Sequence, residues 1–294
     1  MSKRRLIQLL LLIAGVFLAL ILWFSPRTNS DSTSQLADIE NSGSHEGHEH
    51  EVEGSDSHDH EADQMEPAEI ADPVLKEEIE RRAEKADKIA DVQARLDAYD
   101  SLIQFCIKEN LPPYVALYTR KKAETVPTPK NWMLAGDNYF KAFRLSKNSS
   151  KPMITGAVSS YEEALSMDPN MLQAKTALGV AYVEGASVLG VMPMKGIGML
   201  KEVLNIDPEN VDALTNLGYF AIQSGQYEKA IERFNQVLEV DPRNAEAYLY
   251  LADVYLSQGQ KEQGIETLEK YKDLMDDPLV SQRVEQYIEE IRSN

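Results

Sequence analysis

All five histidines of the chain, His45, His48, His50, His58 and His60, lie in one acidic stretch, HEGHEHEVEGSDSHDH, at residues 45–60. Imidazoles at HxxHxH and HxH spacing, interleaved with carboxylates, have the chemistry to ligate Zn²⁺, Cu²⁺ or Ni²⁺. They also gain charge near pH 6, which would relax the repulsion among the acids around them. Against both readings stands the chain itself. It has few large apolar side chains, so a metal would have to order it while binding, and that ordering offsets part of the binding energy. The expectation is therefore a solvating spacer, with weak Zn, Cu or Ni capture by these five histidines as the alternative.

No histidine occurs after His60. This removes Ser-His-Asp and Cys-His nucleophilic catalysis, and most zinc-hydrolase ligand sets, from the remainder of the chain. The glycines of GVMPMKGIG (190–198) have neither the spacing nor the strand-to-helix setting of a phosphate loop. The single cysteine, Cys106, sits in LIQFCIKEN and reads as part of the buried stripe of a helix. The chain is expected to be no enzyme and to hold no cofactor in its folded part.

What surrounds the histidines is set by charge and hydropathy. Residues 28–75 carry 14 Asp or Glu and no Lys or Arg, while the first 27 residues carry a charge of +4. From Lys76 onward there are 26 basic and 34 acidic residues, too mild an acidity to dominate but one that argues against a nucleic-acid partner. A basic tip at 1–5 precedes an uncharged apolar run at 6–24, whose 19 residues at about 1.5 Å each approach the thickness of a hydrocarbon core. The run ends in LWFSPR, with no small-x-small cleavage site and no cysteine after it. A single-pass signal anchor is expected, its N-terminus cytoplasmic by the excess of cations there, and its C-terminal part extracytoplasmic, which in a bacterium is the periplasm. Residues 25–71 are then a disordered, acid- and histidine-rich linker.

Helical patterning begins at Asp72, a plausible N-cap before Pro73. Leu75, Ile79, Ala83 and Ala86, continued by Leu96, Tyr99, Ile103 and Cys106, predict one long helix that stops at NLPPY, followed by a shorter one. Residues 72–126 are thus expected to form a helical pair. Further on, Asp-Pro pairs at 168, 207 and 241 are spaced 39 and 34 residues apart, each after an amphipathic helix, with Asn210 and Asn244 placed to cap the next one. A period near 34 residues with two helices per unit is the pattern of a helical-hairpin solenoid.

The block VDALTNLGYFAIQSGQYEKAIERFNQVLEVDP (211–242) resembles a tetratricopeptide repeat. With Val211 as position 1, Leu214, the Leu217-Gly218 pair, Ala230, Phe234 and Pro242 fall on the family's positions. A second unit begins at Ala245, with Leu251-Ala252, Gly259, Gly264 and Leu268 in register. Two looser units precede them. The resemblance implies an all-α, right-handed solenoid with units at 129–169 (degenerate), 172–208 (with an insertion), 211–244 and 245–278, and a capping helix at 279–294. VEGASVLGVMPMK within the inserted unit is either an inter-helix corner or an adaptable methionine surface built on Met192, Met194 and Met199.

In such repeats the first helix of each pair lines a concave groove. The resemblance points to position 12, which is Phe140, Val183, Ile222 and Leu256, and to position 9, which includes Asp137, Val180, Tyr219 and Asp253. An apolar stripe with polar flanks suits an extended or helical peptide. The competing reading is that position 12 packs against the neighbouring helix. Lys130 and Asn216 are isolated, and Asp212 and Glu246 occupy position 2, so the family's clamp for acidic tails is not expected. The expected role is a membrane-anchored scaffold holding a protein or peptide partner, as in envelope or complex assembly. The alternatives are metal handling through the histidines, and a homo-oligomer paired through the helix from Pro73.

Overall fold

The computed structural model describes residues 72–146 and 150–293, and every regular element among them is an α-helix. The apolar run at 6–24, the linker at 25–71 and all five histidines lie outside the described residues. No helix among the described residues is long and apolar enough to cross a membrane. The described residues form two compact units, one ending at Leu200 and the other beginning at Lys201.

The first unit opens with Pro73–Asp87 (α1), Val92–Lys108 (α2) and Pro112–Thr125 (α3). The single long helix predicted from Pro73 to Cys106 is broken, so residues 72–126 hold three helices rather than two. The break has a local cause. Asp91 takes an extended conformation and accepts a 2.8 Å hydrogen bond from the Ala94 amide, starting a new helix against the apolar periodicity. It also has a tertiary cause, because Asp87 at the end of α1 accepts from the Tyr99 hydroxyl of α2 and pairs with Lys121 of α3 at 3.0 Å. Ile79, Leu102, Cys106, Tyr114 and Tyr118 fill the space between the three helices. Asp72 caps α1 by accepting from the amides of Val74 and Leu75, as its position before Pro73 predicts.

Pro129–Leu145 (α4) and Lys151–Met167 (α5) pack as a hairpin in which two rings lie on two glycines. Tyr161 covers Gly136 and Tyr139 covers Gly156, so neither helix has room for a Cβ at its glycine. Leu172–Glu184 (α6), the short Ala186–Leu189 (α7) and Met194–Ile206 (α8) follow. The VEGASVLGVMPMK stretch is a corner: α7 ends at Gly190, whose φ of 69° is left-handed, and α8 then returns along α6. That return is close, since a Cβ on Gly196 would run into the carbonyl oxygen of Gly179 and lie 2.7 Å from Val183 Cγ2. The boundary between the two units falls inside α8.

The second unit is the more regular. Val211–Gln223 (α9) and Tyr227–Val240 (α10) form one hairpin, Ala245–Ser257 (α11) and Lys261–Leu274 (α12) another, and Pro278–Ser293 (α13) closes on the last. Asn210 and Asn244 cap α9 and α11 through the amides of Ala213 and Ala247, as their spacing predicts. Each cap is tied back to the preceding Asp-Pro turn: the Asn210 side-chain amide donates to Asp207 and that of Asn244 to Asp241. Gly225 and Gly259, both with φ of 73°, turn the chain inside each hairpin. Leu214, Phe234, Val237, Leu251 and Val254 form the core, and α13 contributes Val284 and Ile288 to a second cluster with Ala252 and Leu268. Pro278 opens α13 rather than ending α12.

Candidate functional site

Within each unit the first helices of successive hairpins touch, α4 with α6 and α9 with α11. Their shared face is where the groove residues are expected, and the two units use it differently.

In the first unit this face is closed. Phe140 is only 8% exposed and stacks with Phe143, and the guanidinium of Arg144 lies 4.3 Å above its ring. Arg144 is itself held by Glu184 of α6, through Nε at 2.9 Å and Nη2 at 2.5 Å. Phe140 is therefore a seat for an internal cation. Val180 is buried, and Val183 packs on Gly196 of α8. Asp137 accepts a 3.0 Å bond from the Tyr161 hydroxyl. Loss of water around its carboxyl raises the Asp137 pKa, against the lowering effect of that bond.

The second unit keeps part of the face open. Ile222 is half-buried against the core of Leu214, Phe234 and Leu251, and Leu256 lies over Gly264, where an added Cβ would come within 2.6 Å of Leu256 Cδ2. Val183, Ile222 and Leu256 at position 12 thus pack against neighbouring helices, and Phe140 is covered. The apolar stripe expected to dock a partner is largely a packing stripe, because a branched or aromatic side chain there fills the gap left by a small residue opposite.

Position 9 behaves otherwise. Tyr219 is half-buried, with its ring 5.9 Å from Tyr250 and 5.7 Å from Phe220. Tyr250 stacks in turn on the fully buried Phe234 at 5.0 Å. Phe234 can sit there because Gly218 has no side chain; a Cβ on Gly218 would meet the ring at 2.8 Å. The repeat's Gly-aromatic pair therefore supports an aromatic shelf, Phe234–Tyr250–Tyr219, that reaches the surface at its outer end.

Next along the face is Asp253, exposed, and making no hydrogen bond or ion pair among the described residues. Protein around it still strips enough water to raise its carboxyl pKa. Its charge reaches Tyr287 of α13, whose phenol is raised first by burial and then by Asp253 and Glu290. Asp212 and Glu246, in the first turns of α9 and α11, are also exposed. Tyr250 stands one unit on from Asn216 in register and Tyr287 lies on α13, and neither carries an expectation from the sequence. The run YLYLADVY at 248–255 was the available signal. No group of His, Cys, Asp or Glu among the described residues could hold a metal ion.

A family model described as "Tetratricopeptide repeat" matches residues 195–242 and 221–282. No curated protein matches the chain. Among solved structures, MamA residues 41 to the end from Desulfovibrio magneticus RS-1 is 18% identical, covering 62% of this chain and 97% of that one with a TM-score of 0.45. A crystal structure of MamA is 16% identical, covering 58% and 93% with a TM-score of 0.44. YrrB, described as a TPR protein with an unusual peptide-binding site, is 19% identical, covering 72% and 97% with a TM-score of 0.41. The two hairpins of the second unit lie within the segment that the family model matches. Residues 195–282 of this chain are similar to tetratricopeptide repeats.

Proposed function

We propose that the chain is an interaction scaffold whose second unit holds a protein or peptide partner on the shared face of α9 and α11, with no catalytic step of its own. The observation that carries this reading is the shelf of Tyr219 and Tyr250 beside Asp253, an aromatic surface adjoining an exposed carboxylate that pairs with no cation among the described residues. Aromatic side chains of this kind supply large contact area at low entropic cost. In the same proposal the apolar run at 6–24 anchors the chain in a membrane, the segment at 25–71 spaces it from the surface, and the repeats work on the extracytoplasmic side during complex assembly.

The test is affinity capture with the full chain in its native membranes, comparing the parent with Tyr219→Ala and Asp253→Asn. Both residues reach the surface, so the variants should keep their helicity. A discrete partner whose recovery falls in both variants supports the reading. A partner recovered equally with all three chains would place docking elsewhere and overturn it.

A further inference from the structure

The chemistry of the partner can be narrowed from charge, on the basis of the docking reading above. The two units differ sharply. Residues 72–200 carry 17 Lys or Arg against 16 Asp or Glu, whereas residues 201–294 carry 9 against 19. The excess is also placed. Helices α9 and α11 contain no Lys or Arg at all, so every cation of the second unit lies on α8, α10, α12, α13 or a turn. Their carboxylates, Asp212, Glu246 and Asp253, form no ion pair among the described residues. By contrast Lys270, Lys272 and Arg292, on α12 and α13, are paired with Glu266, Glu285 and Glu269.

We propose that the α9–α11 face of the second unit docks a cationic segment of a protein partner, with a Lys or Arg side chain on Asp253 and its alkyl stem across the Tyr219–Tyr250 shelf. A carboxylate beside an aromatic face suits such a group twice over. The charged head finds a counter-ion and a ring quadrupole, and the methylenes find apolar area. Charge disfavours three other occupants. The chain's own residues 28–71 carry 13 acids and no Lys or Arg, and a second copy would bring the same acidic face. Nucleic acid would be repelled. The described residues of the first unit offer no equivalent seat at Phe140, because Arg144 and Glu184 already supply both charges over its ring.

The experiment uses the full chain and three fluorescein-labelled extended peptides on one Leu-Ser-Gly frame, bearing interspersed lysines, glutamines or glutamates. Fluorescence anisotropy should show binding of the lysine peptide, about tenfold tighter than the glutamine peptide, as expected of a hydrogen bond to a charged group. Added salt should weaken it. Asp253→Asn should remove most of that preference and Tyr219→Ala should weaken binding of the lysine peptide. The double variant Glu232→Gln, Glu239→Gln, which removes charge from the exposed part of α10, should leave the preference nearly intact. No binding of the lysine peptide, equal affinity for all three peptides, or equal losses in Asp253→Asn and in the α10 control would each overturn the proposal. A partner captured through Tyr219 that ignores both salt and Asp253→Asn would leave the docking reading standing and remove only its cationic assignment.

Discussion

Tyr250 of α11 stacks on Phe234 of α10, ring centroids 5.0 Å apart and planes 21° from parallel, so a residue at the surface rests on one that is fully buried. The site on α9 and α11 is held from below by the core of the repeat. Gly218 makes the arrangement possible by leaving Phe234 room against α9. Gly218→Ala is therefore expected to cost about 1–3 kcal/mol of unfolding free energy through overpacking. It should also alter the near-ultraviolet circular dichroism of the tyrosines. Chemical denaturation of the variant at parental stability would contradict this account.

Two glycines of α8 make a sharper comparison. A Cβ on Gly196 would strike the Gly179 carbonyl and approach the Val183 amide nitrogen to 2.9 Å, and backbone cannot move aside as a ring can. A Cβ on Gly198, two residues along, would meet nothing within 4 Å. Gly196→Ala is expected to lose about 3 kcal/mol, whereas Gly198→Ala should be neutral or gain up to about 1 kcal/mol from helix propensity. Thermal unfolding that ranks the two variants the other way would refute the close α6–α8 crossing.

Asp253 carries a stability cost with a defined pH dependence. Its carboxyl pKa is raised in the folded chain by loss of water. The folded state therefore holds the proton more tightly than the unfolded state. The penalty is fully present above the folded pKa and disappears below the unfolded value of about 3.9. Asp253→Asn should accordingly raise the melting temperature at neutral pH, with the difference shrinking as pH falls through the folded pKa. A variant that is less stable than the parent at neutral pH would show that Asp253 is a structural residue.

Cys106 is fully buried, and burial raises its thiol to about 11. With almost no thiolate at neutral pH and no access, it should react with a thiol-specific reagent only as the chain unfolds. Rapid stoichiometric labelling of the native chain would contradict its place in the α1–α3 core.

Much of this arrangement is legible in the amino-acid sequence, and the limits have physical causes. Asn210, Asn244, Gly225, Gly259 and the Asp-Pro pairs act through local hydrogen bonds and backbone angles, which is why spacing alone located them. The break at Asp91 was hidden by apolar periodicity running through it, and its purpose, bringing Asp87 to Tyr99 and Lys121, is tertiary. Register places Tyr219 and Asp253 on the first helices of their hairpins, and both reach the surface there. At position 12 the sequence leaves docking and helix packing open, because an apolar residue facing a small one on the next helix carries the same letter as one facing a partner. The opposing residues Gly196 and Gly264 decide the matter, and they lie on other helices.

The most direct test of the partner face is site-specific photocrosslinking in cells producing the full chain, with benzoylphenylalanine placed at Tyr219 or at Glu239, which is exposed on α10. A discrete adduct formed from position 219 and absent from position 239, and weakened when Asp253→Asn is added, is the result expected. Adducts of equal yield from both positions, or from position 239 alone, would contradict the assignment of docking to the α9–α11 face.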